Sequence, residues 1–233
     1  MSYILLNNKR NTEIKGLIVC SLPPISKPQK KVTIEEIDGV DGDIITELGY
    51  KAYDKEFEIG LTYNYDIDEI INYFDSEGLV TFSNESEKYY RYKIVEQIDF
   101  ERLLRFKTAT VKMHIQPFKY SILETNKSFD ITTQTEIEIR NKGNIYSKPV
   151  LTIYGEGDIA LSLNGNQIFN VNLADEGYIT IDTEKMEAYK DTILKNRIVT
   201  GNYDNFKLNI GRNVISYTGT ITKIVISNYS RWI

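Results

Sequence analysis

The chain has 233 residues, 41% hydrophobic and 26% charged, enough apolar material for one large or two ordinary domains and too much for a disordered chain. A formal net charge of −5 argues against a protein that grips nucleic acid by neutralising phosphates, and the single cysteine, Cys20, excludes an intrachain disulfide and a cysteine-based zinc site. Met1-Ser2-Tyr3 lacks the basic start of a signal peptide, and no apolar run approaches the roughly 20 residues of a membrane span. The expectation is a soluble product made in the cytoplasm with no membrane span. Seventeen tyrosines, with one histidine and one tryptophan, point to a β-rich protein with contact surfaces.

In chain order, Tyr3 to Leu6 is a short apolar run closed by the polar turn Asn7 to Asn11. Ile14 to Ser21 reads as a strand, and Pro23, Pro24 and Pro28 then keep the chain extended. Val32, Ile34 and Ile37 lead into Asp38-Gly39-Val40-Asp41-Gly42-Asp43 and out through Ile44-Ile45, which reads as a glycine turn between two strands. From Lys55 to Tyr63, Phe57, Ile59, Leu61 and Tyr63 alternate with Glu56, Glu58, Gly60 and Thr62, predicting a half-buried strand.

The period then changes. Ile67, Ile70, Ile71 and Phe74 share a helical face, so the spacing predicts a helix from Asp66 to Glu77, with Asp66 as N-cap, Glu69 completing a capping box and Gly78 closing the end. Leu79 to Phe82, the Tyr90–Tyr92–Ile94 alternation and Thr108 to Ile115 read as strands, the last ended by Pro117. The polar stretch Leu123 to Thr135 predicts a domain boundary, giving 1–122 and 123–233. The second half reads as an all-β sandwich. Its runs are Ile137–Ile139, Pro149–Tyr154, Ile159–Leu163, Ile168–Leu173, Tyr178–Ile181, Phe206–Ile210, Val214–Tyr217 and Ile221–Ile226. Asn164-Gly165 predicts a type I′ hairpin, and Glu184 to Thr200 reads as a polar surface loop with a helical turn.

No catalytic set emerges. His114 has strand parity opposite to Val111, Met113 and Ile115, and no G-x-S-x-G motif supplies a nucleophile for it. Cys20 follows Ile18 and Val19 and reads as a packed thiol. Asp38, Asp41 and Asp43 are spaced like the start of a calcium loop, yet the twelfth position is Gly49 rather than a glutamate, and no helix precedes them. No cofactor or metal is expected. Tyr154 with Tyr178, or Tyr229 with Trp232, are candidates for stacking on a sugar, with ordinary ring packing as the commoner use.

The order of these elements resembles the distal tail (Dit) family of long-tailed phages, prophages and phage-like particles of Gram-positive bacteria. Gly39-Val40-Asp41-Gly42 is similar to the family's Gly-Arg-Asp-Gly turn, with Val40 in place of the arginine. Val111 to Tyr120, VKMHIQPFKY, resembles the closing strand of the N-terminal domain. Asn141-Lys142-Gly143-Asn144, ALSLNGNQI, YITIDTEKMEAY and FKLNIGRNVISYTGTITKIVI resemble the galectin-like or carbohydrate-module-like C-terminal domain.

The resemblance implies a mainly β fold, with a β-sandwich or barrel-like N-terminal ring domain carrying one helix and a galectin-like C-terminal β-sandwich. It implies a structural, non-enzymatic protein of the virion tail tip. As a homo-hexamer it would join the tail tube protein to the tail-associated protein and to receptor-binding or baseplate parts, with DNA passing through the lumen unbound. Asp38, Gly39, Asp41, Gly42 and Asp43 are expected to shape a loop of the ring domain near a subunit contact. The alternative is an adhesin that binds host-surface polysaccharide through the C-terminal sandwich.

Overall fold

The computed structural model describes every residue except Met1, Val40, Thr125, Thr132, Thr133 and Asp175. Those threonines fall in the polar stretch predicted as the domain boundary, and there they lie outside the described residues. The chain divides into two compact units, Met1–Lys119 with the terminal Ile233, and Tyr120–Trp232. The protein is mainly β.

The first unit opens with β1 (Ile4–Leu6), β2 (Lys9–Arg10) and β3 (Leu17–Val19), the last shorter than the predicted strand because a 3-10 turn takes Asn11–Glu13. Strands β4 (Lys30–Glu36) and β5 (Asp43–Tyr50) follow, then β6 (Tyr53–Leu61), helix α1 (Ile67–Phe74), β7 (Glu77–Phe82) and β8 (Lys88–Lys93). Helix α2 (Phe100–Phe106) and the 14-residue β9 (Thr108–Ser121) complete it. The main sheet runs β2-β1-β7-β8-β9-β6-β3, while β4 and β5 pair only with each other. The core is built from alternate positions of these strands, such as Phe57 and Ile59 of β6 and Val111, Met113 and Ile115 of β9, capped by Ile70, Tyr73 and Phe74 of α1.

The prediction of one helix is corrected to two. Asp99 caps α2 by accepting from the Arg102 N–H at 2.8 Å, and Lys107 ends it in a left-handed conformation. The helix is short and buries only Leu103 among its described residues, so it carries almost no apolar periodicity to read. Helix α1 is shorter than predicted. Asp66 accepts from the Asp68 and Glu69 N–H groups at 3.1 and 3.2 Å, so the N-cap stands. The Glu69 carboxylate bonds instead to Lys9 Nζ and the Lys15 N–H, both at 3.2 Å, and Gly78 lies inside β7 rather than at the helix end. Tyr63, predicted inward, is fully exposed because β6 stops at Leu61. Pro117 does not end β9; the ladder with β6 stops at Ile115, so the missing N–H breaks no bond to that neighbour. Replacing Asp66 by alanine is expected to destabilise the first unit by about 1 kcal/mol in urea denaturation, the usual cost of losing an N-cap.

The second unit contains β10 (Lys127–Asp130), β11 (Glu136–Asn141), β12 (Val150–Leu163), β13 (Asn166–Asn172), β14 (Tyr178–Asp182), β15 (Glu187–Lys190), β16 (Ile193–Leu194), β17 (Val199–Gly201), β18 (Gly211–Ser227) and β19 (Arg231–Trp232). Runs read as separate strands on either side of Gly155 and Gly219 are the continuous β12 and β18, which pair along most of their length with register shifts at Gly155 and between Glu156 and Ala160. Bulges bend a strand, so β12 meets β14 before the bend and β13 after it, and β18 meets β11 and then β10. Strands β10 to β18 thus form one nine-stranded sheet around one core, with Phe169, Phe206, Ile153, Ile179 and Ile224 at its centre. Asn164 and Gly165 both have positive φ, 51° and 85°, and close the Leu163↔Asn166 hairpin as a type I′ turn. The predicted loop Glu184 to Thr200 instead holds β15, β16 and the start of β17, too short to show alternation. The predicted strand Phe206–Ile210 makes only the isolated bridge Ser147↔Leu208.

Candidate assembly surfaces

Strands β4 and β5 pair from Lys30↔Tyr50 to Glu36↔Asp43 and leave residues 37–42 as the turn. Gly39 and Gly42 hold φ of 80° and 91°, and nothing lies within 4 Å of where a Cβ would stand. These glycines serve the backbone conformation, not close approach. Asp38, Asp41 and Asp43 are exposed around them, and Val40 lies outside the described residues. Gly49 sits in β5 beside a register shift and outside the turn of residues 37–42.

A hairpin normally buries one face. Here Val32, Ile34, Ile37, Ile44, Ile45 and Leu48 are all exposed, with Ile34 and Ile45, which face each other across the ladder, at 57% and 59%. The base is anchored by the Lys51 N–H donating to the Gln29 carbonyl at 2.8 Å and by Tyr50 edge-on to Phe118, ring centroids 5.5 Å apart. Lys30 pairs with Glu47 across the strands.

The proline segment that leads into the hairpin is fixed from below by charge. Lys55, 3% exposed, donates to the Pro24 carbonyl at 2.6 Å and lies over the Tyr90 ring, 5.3 Å from its centroid. Asn84 Nδ2 donates to the Pro23 carbonyl at 3.0 Å. Next to these, Lys119 Nζ meets Glu85 Oε1 at 2.8 Å, with side chains 5% and 8% exposed, and the Tyr90 hydroxyl donates to the other Glu85 oxygen. Burial works against ionisation of Glu85, but the hydrogen bonds from Lys119 and Tyr90 outweigh it and hold the carboxyl below its usual range. Burial also pulls Lys55 down, further than the charge of Glu85 can raise it. Sequence reasoning passed over both lysines, although Lys55 shares the strand parity of Phe57 and Ile59, which places it inward.

The opposite face of β6 and β9 is polar, with Asp54, Glu56, Glu58, Lys112 and His114. His114 Nδ1 lies 2.9 Å from Asp54 Oδ1, and this bond, with Lys112 3.3 Å from the other oxygen, holds Asp54 below the ordinary carboxylate range. A histidine beside an aspartate needs a nucleophile to do acyl chemistry. Cys20, expected to be packed, is instead exposed just past the end of β3, and the burial it does have, followed by the charge of Glu58, pushes its pKa up, away from the thiolate. Among the described residues no group of three or more His, Cys, Asp or Glu is placed to hold a metal ion, and no helix is long and apolar enough to cross a membrane.

In the second unit the structure brings Tyr154 and Tyr178 together across β12 and β14, stacked with centroids 5.3 Å apart. Lys223 lies over Tyr154 and Lys190 over Tyr178, at 5.4 and 5.2 Å. The rings therefore spend their faces on each other and on two ammonium groups. Tyr229 packs on the core and Trp232 is half-buried in β19. A groove of about 440 Å³ beside β12 and β13 is lined by Asp158, Asn170, Asn172, Arg197 and Thr200, with no aromatic ring.

No family model matches the sequence, and no curated protein matches it. Solved structures do match, along the whole chain. The Dit (gp 19.1) protein of phage SPP1, described as a paradigm of the hub adsorption apparatus in phages infecting Gram-positive bacteria, aligns with a TM-score of 0.62 at 16% identity, covering 100% of both chains. A chain of the phage P2 baseplate in its activated conformation with Ca aligns at 0.53 and 12% identity, over 100% of this chain and 98% of that one. The same baseplate with Sr gives 0.52 and 13%, over 97% of each chain. The fold is that of these phage hub and baseplate proteins.

Proposed function

We propose that the chain is a structural tail-tip protein of a phage, prophage or phage-like particle. In this reading six copies form a hub ring that joins the tail tube to the tail-associated protein and to baseplate or receptor-binding parts. The observation that carries it is the likeness of fold to the SPP1 hub protein over the full length of both chains. Two features of the first unit support it. The β4–β5 hairpin exposes more aliphatic surface than a lone monomer gains from, and the outer face of β6 and β9 is polar and carries Asp54, Glu56 and Glu58. With a net charge of −5, a lumen built from such chains repels DNA and lets it slide. The protein is made in the host bacterium and resides at the virion tail tip.

Mass photometry and negative-stain imaging of the purified protein test this. The expected species is a six-fold ring of six times the 27.0 kDa chain mass. A chain that stays monomeric at every concentration, and also when mixed with tail tube protein, removes the reading.

A further inference from the structure

We infer that the ring is closed by the β4–β5 hairpin of each copy docking on the α2 face of the next copy; this rests on the hub reading above. The hairpin is apolar along its arms and acidic at its end. Glu35, Glu36, Asp38, Asp41 and Asp43 fall within nine residues, and no basic residue occurs between Val32 and Tyr50. A matching surface of opposite charge lies on the same unit. Helix α2 and its cap expose Leu104 and Phe106, the latter at 63%, among Arg102, Arg105 and Lys107. The Arg105 guanidinium lies 5.2 Å from the Phe106 ring centroid, giving an apolar knob rimmed by cations. Of the two acids there, Asp99 is engaged in capping, which leaves Glu101 as the other.

Every chain carries both surfaces and leaves both uncovered, so the hairpin does not satisfy its own α2. A contact that pairs two different patches of identical chains is heterologous, and such contacts close into rings when the rotation between copies allows. The eight residues of β5 reach about 26 Å at ~3.3 Å per residue, enough to cross to a neighbour. The aliphatic arm would cover Phe106 while the carboxylates meet Arg102 and Arg105, an arrangement that also sets direction around the ring, since like surfaces repel.

The test uses the full chain with exposed Cys20 changed to serine. Ile45→Cys combined with Phe106→Cys should give a ladder of covalent oligomers on oxidation, and neither cysteine alone should. Glu36→Lys and Arg105→Glu should each weaken assembly at least tenfold by light scattering, and the double variant should restore it; both side chains are exposed, and circular dichroism checks that each variant is folded. Rings that form equally well in both single variants, without the cross-link, overturn the contact and leave the hub reading standing. A wild-type chain that never assembles overturns both. Hairpin variants that keep the ring but lose the tail tube protein assign the hairpin to the tube and overturn the contact between copies.

Discussion

Glu85→Gln is expected to destabilise the first unit by about 3 kcal/mol, the low end of the range for breaking a buried ion pair by removing one partner. The substitution keeps the shape of the side chain but leaves the Lys119 ammonium, 5% exposed, without its counter-charge, and Lys55 nearby against a carbonyl and aromatic faces. The pH dependence has a definite sign. Because the folded state holds the Glu85 carboxyl below its usual value, its contribution is fully present above the unfolded-state pKa of about 4.3 and is lost as pH falls through the folded value. The gap in melting temperature between wild type and Glu85→Gln should therefore be constant around neutrality and shrink below about pH 4. A gap that is unchanged in acid would show that the substitution acts through steric fit rather than through the lost charge. Since the same cluster pins Pro23 and Pro24, the variant should also loosen the hairpin's root, visible as faster amide exchange at Lys51, whose N–H bonds to Gln29.

Gly219→Ala is expected to be comparably damaging to the second unit, at about 3 kcal/mol, combining a strained conformation with overpacking. Gly219 has φ of 96°, and a Cβ there would stand 2.3 Å from the Asp158 carbonyl oxygen. Both groups belong to backbone at the bend shared by β12 and β18, so neither can step aside without moving a strand. Gly157→Ala is the matched control. Its φ of 70° costs strain, yet nothing lies within 4 Å of its Cβ, so about 1–2 kcal/mol is expected. Equal losses in the two variants, measured by thermal unfolding, would mean that the close approach contributes nothing.

Much of the fold was legible because local chemistry and tertiary packing agree. Asp66 before an apolar helical stripe, the Phe57–Ile59–Leu61 alternation and the Asn164-Gly165 turn each produce the element their pattern predicts. The misses have physical causes. Helix α2 is seven residues long and buries one side chain, so it lacks a stripe. Glycines at bends made β12 and β18 look like pairs of strands, because turns and bulges use the same residue. Pro117 lies past the β6 ladder, so its missing N–H breaks no bond to that strand. At the proposed contact surface the hairpin was readable, but its exposure was not. Val32, Ile34, Ile44 and Ile45 look like core residues in a string of letters, and only their lack of a covering layer distinguishes them from Phe57 or Ile59. Lys55 and Lys119 are the reverse case, charged letters that turn out to be interior.

The hairpin has one more consequence, for the life of the chain before assembly. As a two-stranded sheet on its own it offers two outer edges, each a row of backbone donors and acceptors flanked by aliphatic side chains. Such edges are templates for indiscriminate strand addition, and charged residues are the common guard against it. Here the guards are Glu35, Glu36 and Asp43 beside the aliphatic arm. The same acids that would select a cationic seat on a neighbour also guard these edges against indiscriminate pairing, so solubility and the proposed assembly would draw on one set of side chains.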